Sequence, residues 1–171
     1  FTVSVKPDTH PPTNATIDMD FGDSTNRMNI PLGEAQSINI TNNYITPGMI
    51  RVNMTMRNDV SSVNLTHVVD VQRSIKDLQI LAYHTDGDAG YGAPGRGPNR
   101  ADFPMEYDVL LVANISDGTA VTYRWDFGDG TSVETKKINV LHRYLSPEGF
   151  AVTIEAKNSI GDASVSRTIR I

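Results

Sequence analysis

Trp125-Asp126-Phe127-Gly128-Asp129-Gly130-Thr131 reads as the end of a strand followed by a tight turn. It follows Thr122-Tyr123-Arg124, in which Tyr123 and Trp125 share one face and Arg124 takes the other. That alternation describes a half-buried strand, and Trp125 supplies bulk to a core at its end. Gly128 and Gly130 allow backbone angles that L-residues resist. Asp126 and Asp129 are placed to accept hydrogen bonds from backbone N–H groups of the turn. The expected result is a tight hairpin.

A worn copy of the same string, Met19-Asp20-Phe21-Gly22-Asp23-Ser24-Thr25, lies near the start of the chain. An offset of 106 residues lays Phe1–Thr25 on Tyr107–Thr131 without a gap, and an offset of 100 lays Tyr44–Val71 on Tyr144–Ile171. Repetition at this period means two related modules in series. In the first copy Met19 replaces Trp125 and Ser24 replaces Gly130, so its turn is expected to be looser and its core softer.

The rest of the chain also alternates. Phe150, Val152, Ile154 and Ala156 form one inward set; Ile50, Val52, Met54 and Met56 are their counterparts, as Ile17 and Met19 are those of Tyr123 and Trp125. Tyr107–Val112 is likewise expected to be half-buried. No segment carries a 3.6-residue stripe. Short alternating runs separated by turn signals predict an all-β chain of two tandem antiparallel β-sandwiches, over 1–72 and 77–171. A strand-like run, Leu78–Tyr83, precedes the second copy and has no counterpart before Phe1, so the first strand of the first module is expected to be missing or truncated. The short stretch between Val71 and Leu78 is expected to act as a restrictive linker. The chain opens at Phe1 without Met, in mid-strand, and a fragment of a longer protein is expected.

Composition narrows the function. A net charge of −5 without a basic run argues against nucleic-acid binding. There is no cysteine, so an extracellular sandwich here is held by its core alone. The longest apolar run, Val109–Ala113, is too short to cross a membrane. No nucleophile–base order, carboxylate pair or phosphate loop stands out, and an enzyme is not expected. The four histidines, His10, His67, His84 and His142, lack metal-ligand spacing. A Gly-rich insert at 85–99 holds five Gly and two Pro and reads as a surface loop or a partner-binding loop. No cofactor is expected; Asp86, Asp88, Asp126 and Asp129 are the weak candidates for Ca²⁺, for which more oxygens would be needed.

WDFGDGT, then His142-Arg-Tyr144, then Pro147-Glu-Gly149 and Asn158-Ser-Ile-Gly161, resembles the signature of the PKD domain. Asp20-Phe21-Gly22-Asp23, Tyr44, Pro47-Gly48 and Asn58-Asp-Val resemble it more weakly, with Asn42 where that family's His would stand. The resemblance implies an immunoglobulin-like sandwich. The junction Val69-Asp-Val-Gln72 leading to Ile75-Lys-Asp-Leu78 is similar to repeat junctions of the polycystin-1 family ectodomain. That likeness implies an extracellular part of a plasma or ciliary membrane protein, serving adhesion, ligand contact or mechanical spacing and sensing. Its implied partners are other ectodomain repeats, an extracellular protein or carbohydrate ligand, and a polycystin-2-type channel subunit. A microbial surface-layer protein or secreted hydrolase with an accessory PKD module is the alternative. Tyr44 and Tyr144 are expected to bury their rings and bond their hydroxyls to backbone, as a tyrosine corner does. Five N-x-S/T sequons, at Asn14, Asn39, Asn53, Asn64 and Asn114, alternate with or flank apolar positions and are expected outside the core, where glycans attach.

Overall fold

Every regular element among the described residues is a strand, as the period-two alternation requires. The computed structural model describes residues 2–4, 13–32, 37–85 and 101–171. The strands are β1 (Thr2–Ser4), β2 (Thr16–Asp20), β3 (Asn26–Pro31), β4 (Ser37–Asn39), β5 (Gly48–Arg57), β6 (Ser62–Val71), β7 (Gln79–His84), β8 (Asp108–Asn114), β9 (Thr122–Asp126), β10 (Ser132–Thr135), β11 (Asn139–Arg143), β12 (Gly149–Asn158) and β13 (Gly161–Arg170). Two units divide the chain, Phe1–Val71 and Gln72–Ile171.

In the second unit a four-stranded sheet runs β10-β9-β12-β13 and a three-stranded sheet runs β11-β8-β7. All their strand pairs are antiparallel. Tyr123 and Trp125 of β9 and Phe150, Val152, Ile154 and Ala156 of β12 are all buried and share one core with Ile80 and Ala82 of β7. The indole Nε1 of Trp125 is buried and finds no hydrogen-bond acceptor among the described residues. β8 departs from the expected half-burial, since Val109 through Ala113 are all buried. The cause is a second apolar cluster on its other face, made by Tyr83, Leu110 and Val112 with Leu81 against them. The β7–β8 register puts Tyr83 opposite Leu110 and Leu81 opposite Val112, so cross-strand neighbours shield each other.

The first unit repeats the four-stranded sheet as β3-β2-β5-β6, with β1 paired to β4. Ile17, Met19, Phe21, Leu32, Ile40 and Val52 form its core. Of the expected inward set on β5, Val52 is buried, whereas Ile50, Met54 and Met56 are half-buried. Met54 and Met56 lie opposite Leu65 and Val63 of β6, which are 58% and 51% exposed. The described part of this unit has no counterpart of β7. In the second unit Val165, the match of Leu65, packs against the core that β7 helps to close.

The stretch between the units also differs from expectation. Gln72 to Lys76, read from sequence as linker, is fastened to the second unit. Lys76 N bonds Asp117 O at 3.0 Å and Ser116 N bonds Lys76 O at 3.0 Å. Arg73 N donates to Thr119 Oγ1 at 2.9 Å, and Ser159 N donates to Gln72 Oε1 at 3.0 Å.

Candidate functional site: the aspartate corners

The turn after β9 is built by its two aspartates. Asp126 Oδ1 accepts from Gly128 N at 2.9 Å, and Asp129 Oδ1 accepts from Thr131 N at 3.0 Å and from the Thr131 hydroxyl at 2.6 Å. Phe127 N bonds Thr131 O at 3.1 Å and closes the loop. Gly128 and Gly130 sit at φ +80° and +88°, the left-handed region that penalises a Cβ. At Gly128 there is a second constraint: a Cβ would lie 2.8 Å from Ala151 O and 2.9 Å from Ala151 N on β12.

Residues from β11 and its exit complete the corner. His142 Nε2 lies 2.7 Å from Asp129 Oδ2, and the imidazole stacks on the Phe127 ring with centroids 3.8 Å apart. Tyr144 is buried, and its hydroxyl donates to Phe127 O at 3.0 Å. Burial, followed by the charges of Asp129 and Asp126, pushes the Tyr144 phenol well above its usual range. Burial pushes against ionisation of Asp129, but bonds from the Thr131 hydroxyl, His142 and the Thr131 amide outweigh it and hold the carboxyl below the usual range.

The first unit reproduces this corner bond for bond. Gly22 N donates to Asp20 Oδ1 at 2.9 Å, Thr25 N to Asp23 Oδ1 at 3.0 Å, and Tyr44 OH to Phe21 O at 3.1 Å. The Thr25 hydroxyl also bonds Asp23 Oδ1. Asn42 takes the place of the imidazole, its Nδ2 donating to Asp23 Oδ2 at 2.8 Å. Hydrogen bonds, chiefly from the Thr25 hydroxyl, hold the Asp23 carboxyl below its ordinary value. The expected loosening of this turn does not occur. Ser24 stands at φ +71° where Gly130 stands in the second unit, so the geometry is kept at a backbone cost of about 1 kcal/mol. Met19 is 2% exposed against 0% for Trp125, so the core position is filled in both.

What the corners can do chemically is hold shape. Asp126 and Asp129 spend oxygens within the turn, and no group of three or more acidic or imidazole side chains able to hold a metal ion occurs among the described residues. Asp86, Asp88 and the Gly-rich insert from residue 86 onward lie outside the described residues, as does His10. The five sequon asparagines, Asn14, Asn39, Asn53, Asn64 and Asn114, are all exposed. An open depression of about 620 Å³ over the outer face of β9 and β12 is lined by Arg124, Glu134, Glu155 and Lys157, so its charges balance and select neither sign. No helix among the described residues is long and apolar enough to cross a membrane.

Sequence reasoning missed the seam at the opposite end of the second unit. Asn158 is buried; its Oδ1 accepts from Ile160 N and Gly161 N, and its Nδ2 donates to Arg73 O at 2.8 Å and Thr119 O at 3.1 Å. The recurrence of Asn at 58 was the available signal: Asn58 Oδ1 likewise accepts from Val60 N and Ser61 N. The Asp18–Asn29–Arg57 network on the outer face of the first unit carried no such signal. It depends on a bulge in β3, where Asn29 adopts φ +56°.

Residues 98–171 match the PKD domain. The matched stretch holds the corner and its supports, Trp125 to Thr131, His142, Tyr144 and Asn158. Most of the chain resembles the PKD-type repeats of the polycystin-1 family. It is 27% identical over 154 residues to polycystin-1-like protein 1 of Oryzias latipes, covering 86% of this chain and 4% of that protein. It is 23% identical over 133 residues to human polycystin-1, covering 77% of this chain and 3% of that protein. The chain therefore spans only a small fraction of these relatives. Among solved structures, an amphioxus IgVJ-C2 molecule matches with a TM-score of 0.53 at 10% identity, over 100% of this chain and 96% of that one. The CD2-binding domain of CD58 matches with a TM-score of 0.50 at 10% identity, over 100% of this chain and 92% of that one. At that identity the likeness shows the fold alone: an immunoglobulin-like β-sandwich architecture, with the PKD signature in the second unit.

Proposed function

We propose that the chain is a non-catalytic pair of PKD-type modules from the extracellular part of a polycystin-1-like membrane protein, and that its task is to bear tension and set spacing. The observation that carries this reading is how the second unit is tied at its two ends. Gln72 is bonded to Ser159, which precedes β13, and Ile171 N is bonded to Glu148 O at 2.9 Å, beyond the far end of β13. Ten residues of extended strand separate those poles, about 33 Å. Tension between the ends therefore runs along the strands. It shears the β7–β8 and β12–β13 ladders, whose hydrogen bonds must fail together rather than one at a time. The corner stiffens the same pole from which Ile171 leaves, since Glu106 N bonds Tyr144 O at 3.1 Å and Tyr144 bonds Phe127 O. Adhesion or contact with an extracellular protein or carbohydrate, and coupling to a polycystin-2-type channel subunit through the parent protein, are the roles such a spacer would serve.

Single-molecule force spectroscopy of the chain held at both ends tests this. A discrete unfolding event for the second unit is expected. Extension without any force peak would refute the mechanical reading.

A further inference from the structure

We propose that the outer face of β5 and β6 is a paired N-glycan site, fitted before the two strands meet. Two sequons, Asn53-Met54-Thr55 on β5 and Asn64-Leu65-Thr66 on β6, lie on adjacent antiparallel strands. The register sets Asn53 opposite Thr66 and Thr55 opposite Asn64. Each sequon hydroxyl is then taken by the other sequon's amide: Thr66 Oγ1 donates to Asn53 Oδ1 at 2.9 Å, and Thr55 Oγ1 donates to Asn64 Oδ1 at 2.8 Å. Both asparagines are exposed, so the face has room for attached sugar. The acceptor motif requires the hydroxyl two residues after the asparagine, and in the folded sheet neither hydroxyl is free.

The two positions differ in how far the fold hides them. Among the described residues β5 lies between β2 and β6 and is bonded on both sides, whereas β6 ends the sheet. Asn64 can be reached by fraying of an edge strand. Asn53 can be reached only by unpairing the sheet. Transfer joins the asparagine amide nitrogen to C1 of a sugar carried on a lipid-linked oligosaccharide pyrophosphate. The C1–O bond to the pyrophosphate breaks, the lipid pyrophosphate leaves with the bonding pair, and the amide loses one proton. At Asn53 that exchange must precede pairing of β5 with β6. Diagonal neighbours on adjacent strands stand about 7–8 Å apart, so the two sugars would rise side by side and screen the outer edge of β6 against pairing with another chain.

The proposal rests on the extracellular reading, and the test separates the two. The chain is secreted from mammalian cells and its glycopeptides are read by mass spectrometry. Sugar at both Asn53 and Asn64 is expected. The Thr55→Ala variant should lose the sugar at Asn53 alone and leave Asn64 occupied, because the cross-strand bond does not yet exist when transfer occurs. In parallel, unmodified chain made in bacteria and a peptide spanning residues 48–71 are offered to oligosaccharyltransferase with lipid-linked oligosaccharide. The peptide should be modified at both sites and the folded chain should be at least tenfold slower at Asn53. Bare Asn53 and Asn64 beside occupied Asn14, Asn39 or Asn114 would overturn the pairing proposal alone. Equal rates at Asn53 in peptide and folded chain would also overturn it. Five bare sequons would overturn it together with the extracellular reading.

Discussion

Gly128→Ala should unfold the second unit far more readily than Gly130→Ala, although both replace a glycine at positive φ in one turn. At either position an alanine must hold the left-handed region, at about 1–2 kcal/mol, and recovers roughly 0.4–1 kcal/mol by stiffening the unfolded chain. Gly130 faces open space, with nothing within 4 Å of the added carbon, so its net loss should stay near 1 kcal/mol or below. At Gly128 the carbon meets Ala151 O and N at 2.8 and 2.9 Å. Ala151 belongs to β12 and is paired to Thr168 of β13, and β9 holds β12 from Thr153 onward, so its backbone cannot give way cheaply. Overpacking of this kind adds about 1–3 kcal/mol, for a total of about 2–4 kcal/mol. Trp125 is the one tryptophan of the chain and is fully buried, so its fluorescence follows the second unit alone during urea unfolding. With a slope of about 1–3 kcal/mol/M, Gly128→Ala should lower the midpoint by roughly 1–2 M and Gly130→Ala by a fraction of that. Equal midpoints for the two variants would refute the close-approach argument.

Trp125→Phe should cost less than its loss of volume implies, because the indole N–H it removes is buried and has no acceptor among the described residues. A loss of about 1–2 kcal/mol is expected, against about 3–5 kcal/mol for Trp125→Ala, both read by calorimetry. Acid should weaken the corners. The Asp129 and Asp23 carboxyls are held below their ordinary range in the fold, so their contribution is present above the ordinary carboxylate pKa of about 4 and fades as pH falls through the folded values. Asp129→Asn should flatten the fall in the second unit's urea midpoint between pH 5 and pH 2, read by the Trp125 signal. An unaltered pH profile would show that the carboxylate does not support the turn.

Much of this was legible because period two speaks for one strand at a time. Phe150, Val152, Ile154 and Ala156 announce the face of β12 without help, and the aspartate-glycine string announces its own turn. β8 misleads for the same reason. Leu110 and Val112 look outward from their own strand, and among the described residues it is Tyr83 and Leu81, brought alongside by the β7 register, that pack with them. Met54 and Met56 mislead in the opposite direction, since their depth depends on what lies over β6 rather than on β5. The stacking of His142 on Phe127 is closed by the fold across fifteen residues, beyond the reach of local pattern. The first unit's corner persists despite Ser24 because Asp20 and Asp23 accept, and Asn42 and Tyr44 donate, the same set of hydrogen bonds, against one unfavourable torsion.

The fastening of Gln72 to Lys76 changes what counts as slack. Those five residues look like spare tether, yet the amides and carbonyls of Arg73 and Lys76 already belong to the ledge formed by Ser116, Asp117, Thr119 and Asn158. A residue added or removed there would be felt as damage to a sandwich rather than as extra reach. An excised second unit begun at Leu78 would lose a hem that one begun at Gln72 keeps.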